Sequence, residues 1–144
     1  MIAVLDTNVV LAAVYSQRGA SSKLLSLLAE ERFDIALTLP LFLEYQDVLS
    51  RDSTRERGVS EEAARELCED LASIARGHRV YFLWRPWLRD PKDDLVLEAA
   101  VVSRANCIVT HNVRDFRDFG IEKSFGIEIM TPKELLARLN EEAK

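Results

Sequence analysis

Short apolar runs alternate along the chain with longer stretches in which apolar residues recur at helical spacing. The first run, Ile2-Ala3-Val4-Leu5, is too short and too apolar for anything but a buried strand. Five strands are predicted, at residues 2–5, 34–38, 79–83, 107–110 and 127–130. Strands that alternate with helices are typical of an α/β fold with a parallel sheet and right-handed crossovers.

The amphipathic stretches between these runs predict five helices. Their starts fall near Ser21, after Pro40, at Ser60, near residue 93 and at Thr131. The helix near residue 93 is predicted to run to about 105, and the last one combines a capping box, Thr131 to Glu134, with Pro132 at the first helical position. The segment 84–92, with two prolines and two tryptophans, is predicted to be a loop.

Composition and charge limit the kinds of protein that this sequence can encode. The 144 residues contain no repeat or Gly/Ser linker, so we expect a single domain over residues 1–144. The net charge of −5 argues mildly against a protein that grips long nucleic acids by charge alone. No apolar run approaches the roughly 20 residues of a membrane span. Cys68 and Cys107 lack CxxC spacing, so we expect two reduced core thiols in a cytoplasmic protein.

Four acidic residues fall where a parallel α/β sheet would bring them to one edge: Asp6, Glu44, Asp94 and Asp115. Asp6 directly follows the first predicted strand and Asp115 follows the fourth, and catalytic groups of open sheets collect beyond the carboxyl ends of such strands. Carboxylates that converge there repel one another unless a cation or protons intervene. Mg²⁺ or Mn²⁺ prefers such oxygen ligands. For Asp6 and Asp115, a helix cap is the alternative.

Glu44 is predicted to face inward. It lies on the same helical face as Leu41, Tyr45 and Val48, and glutamate is almost never fully buried unless it is paired. Neither Lys nor Arg occurs from residue 33 to 50 to pair with it locally. Glu44 is therefore a site residue or stands at a helix edge that reaches water.

The third acid is one of two neighbours. Leu97 and Val101 follow Asp94 at helical spacing, so the register favours Asp94 over Asp93, although either could be the site residue. Around the four carboxylates we expect supporting residues that orient them: Thr7, Asn8, Asp93, Thr110 and Asn112. His111 is interpreted as a surface loop residue.

The chain resembles the PIN-domain family, in particular its bacterial and archaeal toxin-like (VapC-like) ribonucleases. The resemblance lies in the order and spacing of four segments: DTNVVL, LFLEYQDVL, DPKDDLVLEAAV and IVTHNVRDF. The similarity runs from residue 1 to about 130. The resemblance implies a three-layer α/β/α fold with a five-stranded parallel sheet. It also implies that Asp6, Glu44, Asp94 and Asp115 hold one or two divalent ions for ribonuclease chemistry, with Asn112 able to share the fourth position. An RNA substrate, a homodimer and a small antitoxin protein are implied as partners.

Other classes fit the sequence less well. A phosphatase with an aspartyl nucleophile requires Asp where Asn8 stands, and a dinucleotide-binding fold requires a Gly-rich turn that the five glycines do not form. A receiver domain requires an acidic pair after the first strand and a lysine near the last, and neither is evident. The remaining alternative is a non-catalytic module that binds RNA or protein on the same fold.

Overall fold

Five parallel strands form the centre of the fold in the computed structural model, which describes residues 1–78 and 87–143. They are β1 Ile2–Leu5, β2 Asp34–Thr38, β3 Arg76–His78, β4 Cys107–Val109 and β5 Glu128–Met130. Their order across the sheet is β3-β2-β1-β4-β5. The predicted α/β class with a five-stranded parallel sheet is confirmed.

Nine helices connect and flank these strands within the described residues. In chain order they are α1 Thr7–Tyr15, α2 Ala20–Ala29, α3 Leu39–Leu49, α4 Asp52–Glu56, α5 Glu61–Ile74, α6 Pro91–Ser103, α7 Val113–Arg117, α8 Ile121–Phe125 and α9 Pro132–Glu142. The chain proceeds from β1 to β2 and β3, then returns past β1 to β4 and β5. α3 and α6, which belong to connections on the two sides of β3 in the chain, pack against each other as well as on the sheet. α6 packs across β1 to β4, and α9 packs on α2.

The central strands form because their side chains are buried on both faces. Every residue from Ala3 to Leu5 and from Cys107 to Val109 is fully buried. The strands predicted at 2–5 and 34–38 have the observed bounds, and those at 107–110 and 127–130 are each one residue too long. The predicted strand 79–83 lies outside the described residues, as does the first part of the predicted loop at 84–92.

The five predicted helices are present, and two begin at the predicted caps. Ser60 accepts a hydrogen bond from the Ala63 amide at 3.0 Å, and Thr131 accepts one from the Glu134 amide at 3.1 Å. The predicted start near residue 93 was two residues late, because Asp90 caps α6 and Pro91 is its first residue. Four observed helices were not predicted: α1, α4, α7 and α8.

Both cysteines are free and buried, as predicted, and burial raises the pKa of each thiol, that of Cys107 to about 12. Among the helices within the described residues, none has both the length and the apolar character that a membrane span requires.

Candidate active site

The candidate site lies at the carboxyl edge of the sheet, where the strand order reverses between β1 and β4. The Asp6 amide, directly after β1, donates to the carbonyl oxygen of Val109, the last residue of β4, at 2.8 Å. Ligands of open α/β sheets bind in the crevice at such a switch point. The fold therefore brings two of the predicted segments together, the one that begins at Asp6 and the one that begins at Thr110.

The Asp6 side chain is buried and is held by Thr110. Asp6 occupies the N-cap position of α1, yet its side chain makes no cap hydrogen bond. Its Oδ2 instead accepts from the Thr110 hydroxyl at 2.7 Å. Burial raises the pKa of Asp6, the Thr110 hydrogen bond and the Thr7 amide lower it in part, and the charge of Asp115 raises it again. The cap alternative thus holds for the position of Asp6 but not for its hydrogen bonding.

Thr110 is the centre of a polar network that orients Asp6. It is fully buried, and its Oγ1 accepts from the Asn112 amide at 3.0 Å and from Asn8 Nδ2 at 3.5 Å. Asn8 Oδ1 in turn accepts from the His111 amide at 3.3 Å. Because these donors use the lone pairs of Oγ1, its own hydrogen is directed to Asp6. The predicted supporting residues Asn8, Thr110 and Asn112 are therefore grouped around Asp6.

Asp93 is a buried carboxyl group with several negatively charged neighbours. It lies in the first turn of α6 and is 9% exposed. Its pKa is raised to about 7, first by burial and then by the negative charges of Asp6, Asp90, Asp115 and Asp94. Asp93 therefore shares one field of like charge with Asp6 after β1 and with Asp115 in α7.

Asp94 is more deeply buried than Asp93 but has a different environment. Its Oδ1 accepts from the backbone amides of Trp87 and Leu88, at 3.3 and 2.9 Å, which ties the chain before α6 to the helix. Its Oδ2 is buried and has no hydrogen-bond partner among the described residues. The register that favoured Asp94 correctly indicated burial. Besides burial, the negative charges of Asp6 and Asp115 raise the pKa of the neighbouring Asp93.

Glu44 faces the interior, as predicted, and its partner comes from a different helix. It stands in the second turn of α3, and the side chain is 13% exposed. Lys92 Nζ of α6 lies 3.5 Å from its Oε1. The α3 backbone is fixed nearby, because the buried Tyr45 hydroxyl donates to the carbonyl oxygen of Leu5, next to Asp6. Lys92 is distant from Glu44 in the sequence, so the pairing of the two residues could not be predicted from the residues next to Glu44.

His111 is exposed, in keeping with its interpretation as a loop residue, but it also borders the site. Its Nε2 lies 3.4 Å from the hydroxyl of the buried Ser21 in α2, and its charge lowers the pKa of Asp6. No sequence pattern connects Ser21 with His111, because they are brought together only by the packing of α2 near the end of β4.

The site residues suit a divalent ion by chemistry and by charge. Their donors are carboxylate oxygens, their mutual repulsion would be relieved by a cation, and Asp94 Oδ2 is a buried oxygen in need of a partner. Within residues 1–78 and 87–143, no three Asp, Glu, His or Cys side chains stand close enough to hold an ion without rearrangement. The chemistry of the donors therefore suits a divalent ion, while the described side chains do not form a complete ligand set as they stand.

A family model described as PIN domain matches residues 3–114, most of the chain. The protein belongs to the PIN-domain family, in agreement with the sequence motifs and the parallel sheet. PIN domains are typically nucleases and usually bind divalent metals, so the family supports a hydrolase of the nuclease class. A comparison with curated proteins finds no match.

Proposed function

We propose that this protein is a Mg²⁺- or Mn²⁺-dependent endoribonuclease that hydrolyses RNA phosphodiester bonds at the carboxyl edge of its sheet. The observation that carries the proposal is the position of Asp93 near Asp6 and Asp115 at the switch point of the sheet, where burial first and then the neighbouring negative charges raise the pKa of Asp93 to about 7. Asp6 and Asp93 are buried and Asp115 is exposed, and perturbed carboxyl groups of this kind cluster at functional sites.

Asp6, Asp93 and Asp115 are the proposed ligands at the centre of the site. Glu44 and Asp94 are proposed as flanking ligands, because Glu44 faces inward from α3 and Asp94 keeps one buried oxygen unpartnered. When bound, the divalent ion supplies Lewis-acid activation of water and neutralises charge on the phosphoryl oxygens.

The protein's own residues orient the Asp6 carboxylate and keep water away from the interior side of the site. Thr110 fixes one oxygen of Asp6 and so sets the orientation of the carboxylate. The fully buried side chains of Tyr45 and Leu97 exclude water behind the carboxylates. No protein nucleophile is required for this chemistry.

The proposed biological role is the toxin component of a cytoplasmic toxin–antitoxin pair, acting as a homodimer, and it is supported by the family resemblance. An antitoxin could block the site with an arginine, because a guanidinium pairs bidentately with carboxylates where the ion would bind. Co-purification with the product of the adjacent small gene tests the antitoxin, and light scattering at micromolar concentration tests the dimer. Absence of a captured partner and a monomer throughout would contradict this role.

The nuclease proposal is tested by product analysis on a mixed-sequence, single-stranded RNA. We expect cleavage with Mg²⁺ or Mn²⁺, none with EDTA, and recovery when the ion is restored. A matched control is Asp70→Asn, which removes a carboxylate from the exposed face of α5 and should leave cleavage unchanged. Cleavage in EDTA would contradict the metal dependence. RNA binding without cleavage under any metal would favour the non-catalytic module.

A further inference from the structure

The ion pair between Lys92 and Glu44 joins an exposed side chain to a largely buried one over a long distance. Glu44 is 13% exposed, so its carboxylate has lost most of its water, whereas Lys92 is 54% exposed. The closest distance between them is 3.5 Å, longer than the 2.7–2.9 Å typical of a strong charge-assisted hydrogen bond. The pair therefore neutralises an inward-facing carboxylate through a loose contact that a stronger cation can replace.

The position of Lys92 in α6 is unfavourable for a lysine by itself. It is the second residue of the helix, after Asp90 at the N-cap and Pro91. The positive end of the helix dipole disfavours a cation there. Its backbone is held by a hydrogen bond from the Lys92 amide to Asp90 Oδ1 at 2.9 Å, while its long side chain reaches across to α3. The acidic neighbours on both helices account for the lysine at this place.

We propose that Lys92 is a positioning residue of the metal site. Its ammonium group holds Glu44 while no ion is bound, yields Glu44 when a divalent ion binds, and is then free beside the edge where an RNA phosphate would lie. This inference rests on the proposed nuclease function. It predicts that Lys92 opposes metal binding and favours RNA binding, two effects that a merely structural ion pair would not produce.

The test is a Mn²⁺ binding titration of the full-length protein without RNA. Lys92→Met should bind Mn²⁺ about two- to fivefold more tightly than wild type, the range that loss of a competing exposed ion pair allows. Lys92→Arg retains the charge and should stay near the wild-type affinity. In the cleavage assay, Lys92→Met should raise KM for RNA about two- to fivefold and change kcat less.

Two controls separate this role from a general effect of positive charge. Lys133 holds the matching place in α9, after Thr131 and Pro132, and also follows a strand at the carboxyl edge. Lys133→Met should leave Mn²⁺ affinity unchanged. Glu44→Gln should weaken Mn²⁺ binding, and adding Lys92→Met to Glu44→Gln should produce no further gain, since Lys92 acts through Glu44.

Equal Mn²⁺ affinity in wild type and Lys92→Met would overturn the inference while leaving the proposed nuclease intact. The same gain in Lys133→Met, or in the Glu44→Gln background, would also overturn it, because the effect would then be long-range charge. Wild-type protein that binds no Mn²⁺ would contradict the proposed nuclease site itself, and this inference with it.

Discussion

Acidic residues at the two ends of the sheet stand in opposite electrostatic surroundings. At the amino end of β5, both oxygens of Glu128 accept from Arg138, at 3.0 and 2.9 Å, and this hydrogen bonding lowers the pKa of Glu128. At the carboxyl edge, burial and neighbouring aspartates raise the pKa of Asp93 to about 7. The charge of Glu128 is thus satisfied by a cation within the fold. The like charges around Asp93 instead support the proposed ligand site at the carboxyl edge.

The largest expected effect comes from Asp6. Asp6→Asn should lower RNA cleavage by at least about 100-fold, because loss of a residue that only orients a metal ligand already costs about 10- to 100-fold. Its stability in EDTA should be equal to or higher than that of wild type, since a buried charge repelled by Asp115 is removed. Cleavage rates and urea unfolding in EDTA measure both. A large loss of stability in EDTA would instead identify Asp6 as a structural residue.

Asp93 and Asp94 are adjacent in α6, and their substitutions should change the stability of the protein in different ways. Asp94→Ala should destabilise the protein by about 1–3 kcal/mol, because the buried Leu88 amide loses its acceptor. Asp93→Ala should be neutral or stabilising in EDTA at pH 8, because it removes a charge that four aspartates repel. Urea unfolding of the two variants side by side is the measurement. Equal destabilisation would show that the two carboxyl groups play the same role.

Most of the fold could be predicted from the sequence, and the reasons differ between elements. Strands such as β1 are visible because burial on both faces makes them continuously apolar. The strand β3 has two exposed residues and no apolar signal, so it was not found. The helices α4, α7 and α8 have five residues each, too few for a periodic pattern.

The site was predicted less completely, because helical periodicity reports burial and not the identity of neighbours. It placed Asp94 and Glu44 inward, and both side chains are buried or nearly so. It could not indicate that Asp93 shares a field with Asp6, because that depends on how α6 meets the end of β1. The same limit concealed the pairing of Lys92 with Glu44, because the two residues lie on different helices.

The pH dependence of stability distinguishes the two ends of the sheet with a smaller effect. The pKa of Asp93 is raised, so the native state keeps a proton that the unfolded chain releases, and stability in EDTA should fall as pH rises from about 4 to about 7. The pKa of Glu128 is lowered, so its contribution is present at neutral pH and is lost as pH falls.

Urea unfolding in EDTA between pH 5 and 8 checks this difference. Wild type should lose stability on the order of 1–3 kcal/mol over this range, and Asp93→Asn should lose much less. Glu128→Gln, the matched control, should keep the wild-type slope and change overall stability by less than about 1 kcal/mol, as for an exposed ion pair. A slope that persists in Asp93→Asn would assign the titration to another group.

Thermal melting with added Mn²⁺ shows whether the aspartates at the carboxyl edge form a divalent-metal site, as proposed. At a Mn²⁺ concentration about 100-fold above Kd, binding to the native state should raise the wild-type Tm by roughly 5–10 °C relative to EDTA. Asp6→Asn should show much less of this rise, while Asp70→Asn should show all of it. A Tm that Mn²⁺ leaves unchanged in wild type, or raises equally in Asp6→Asn, would contradict the metal site.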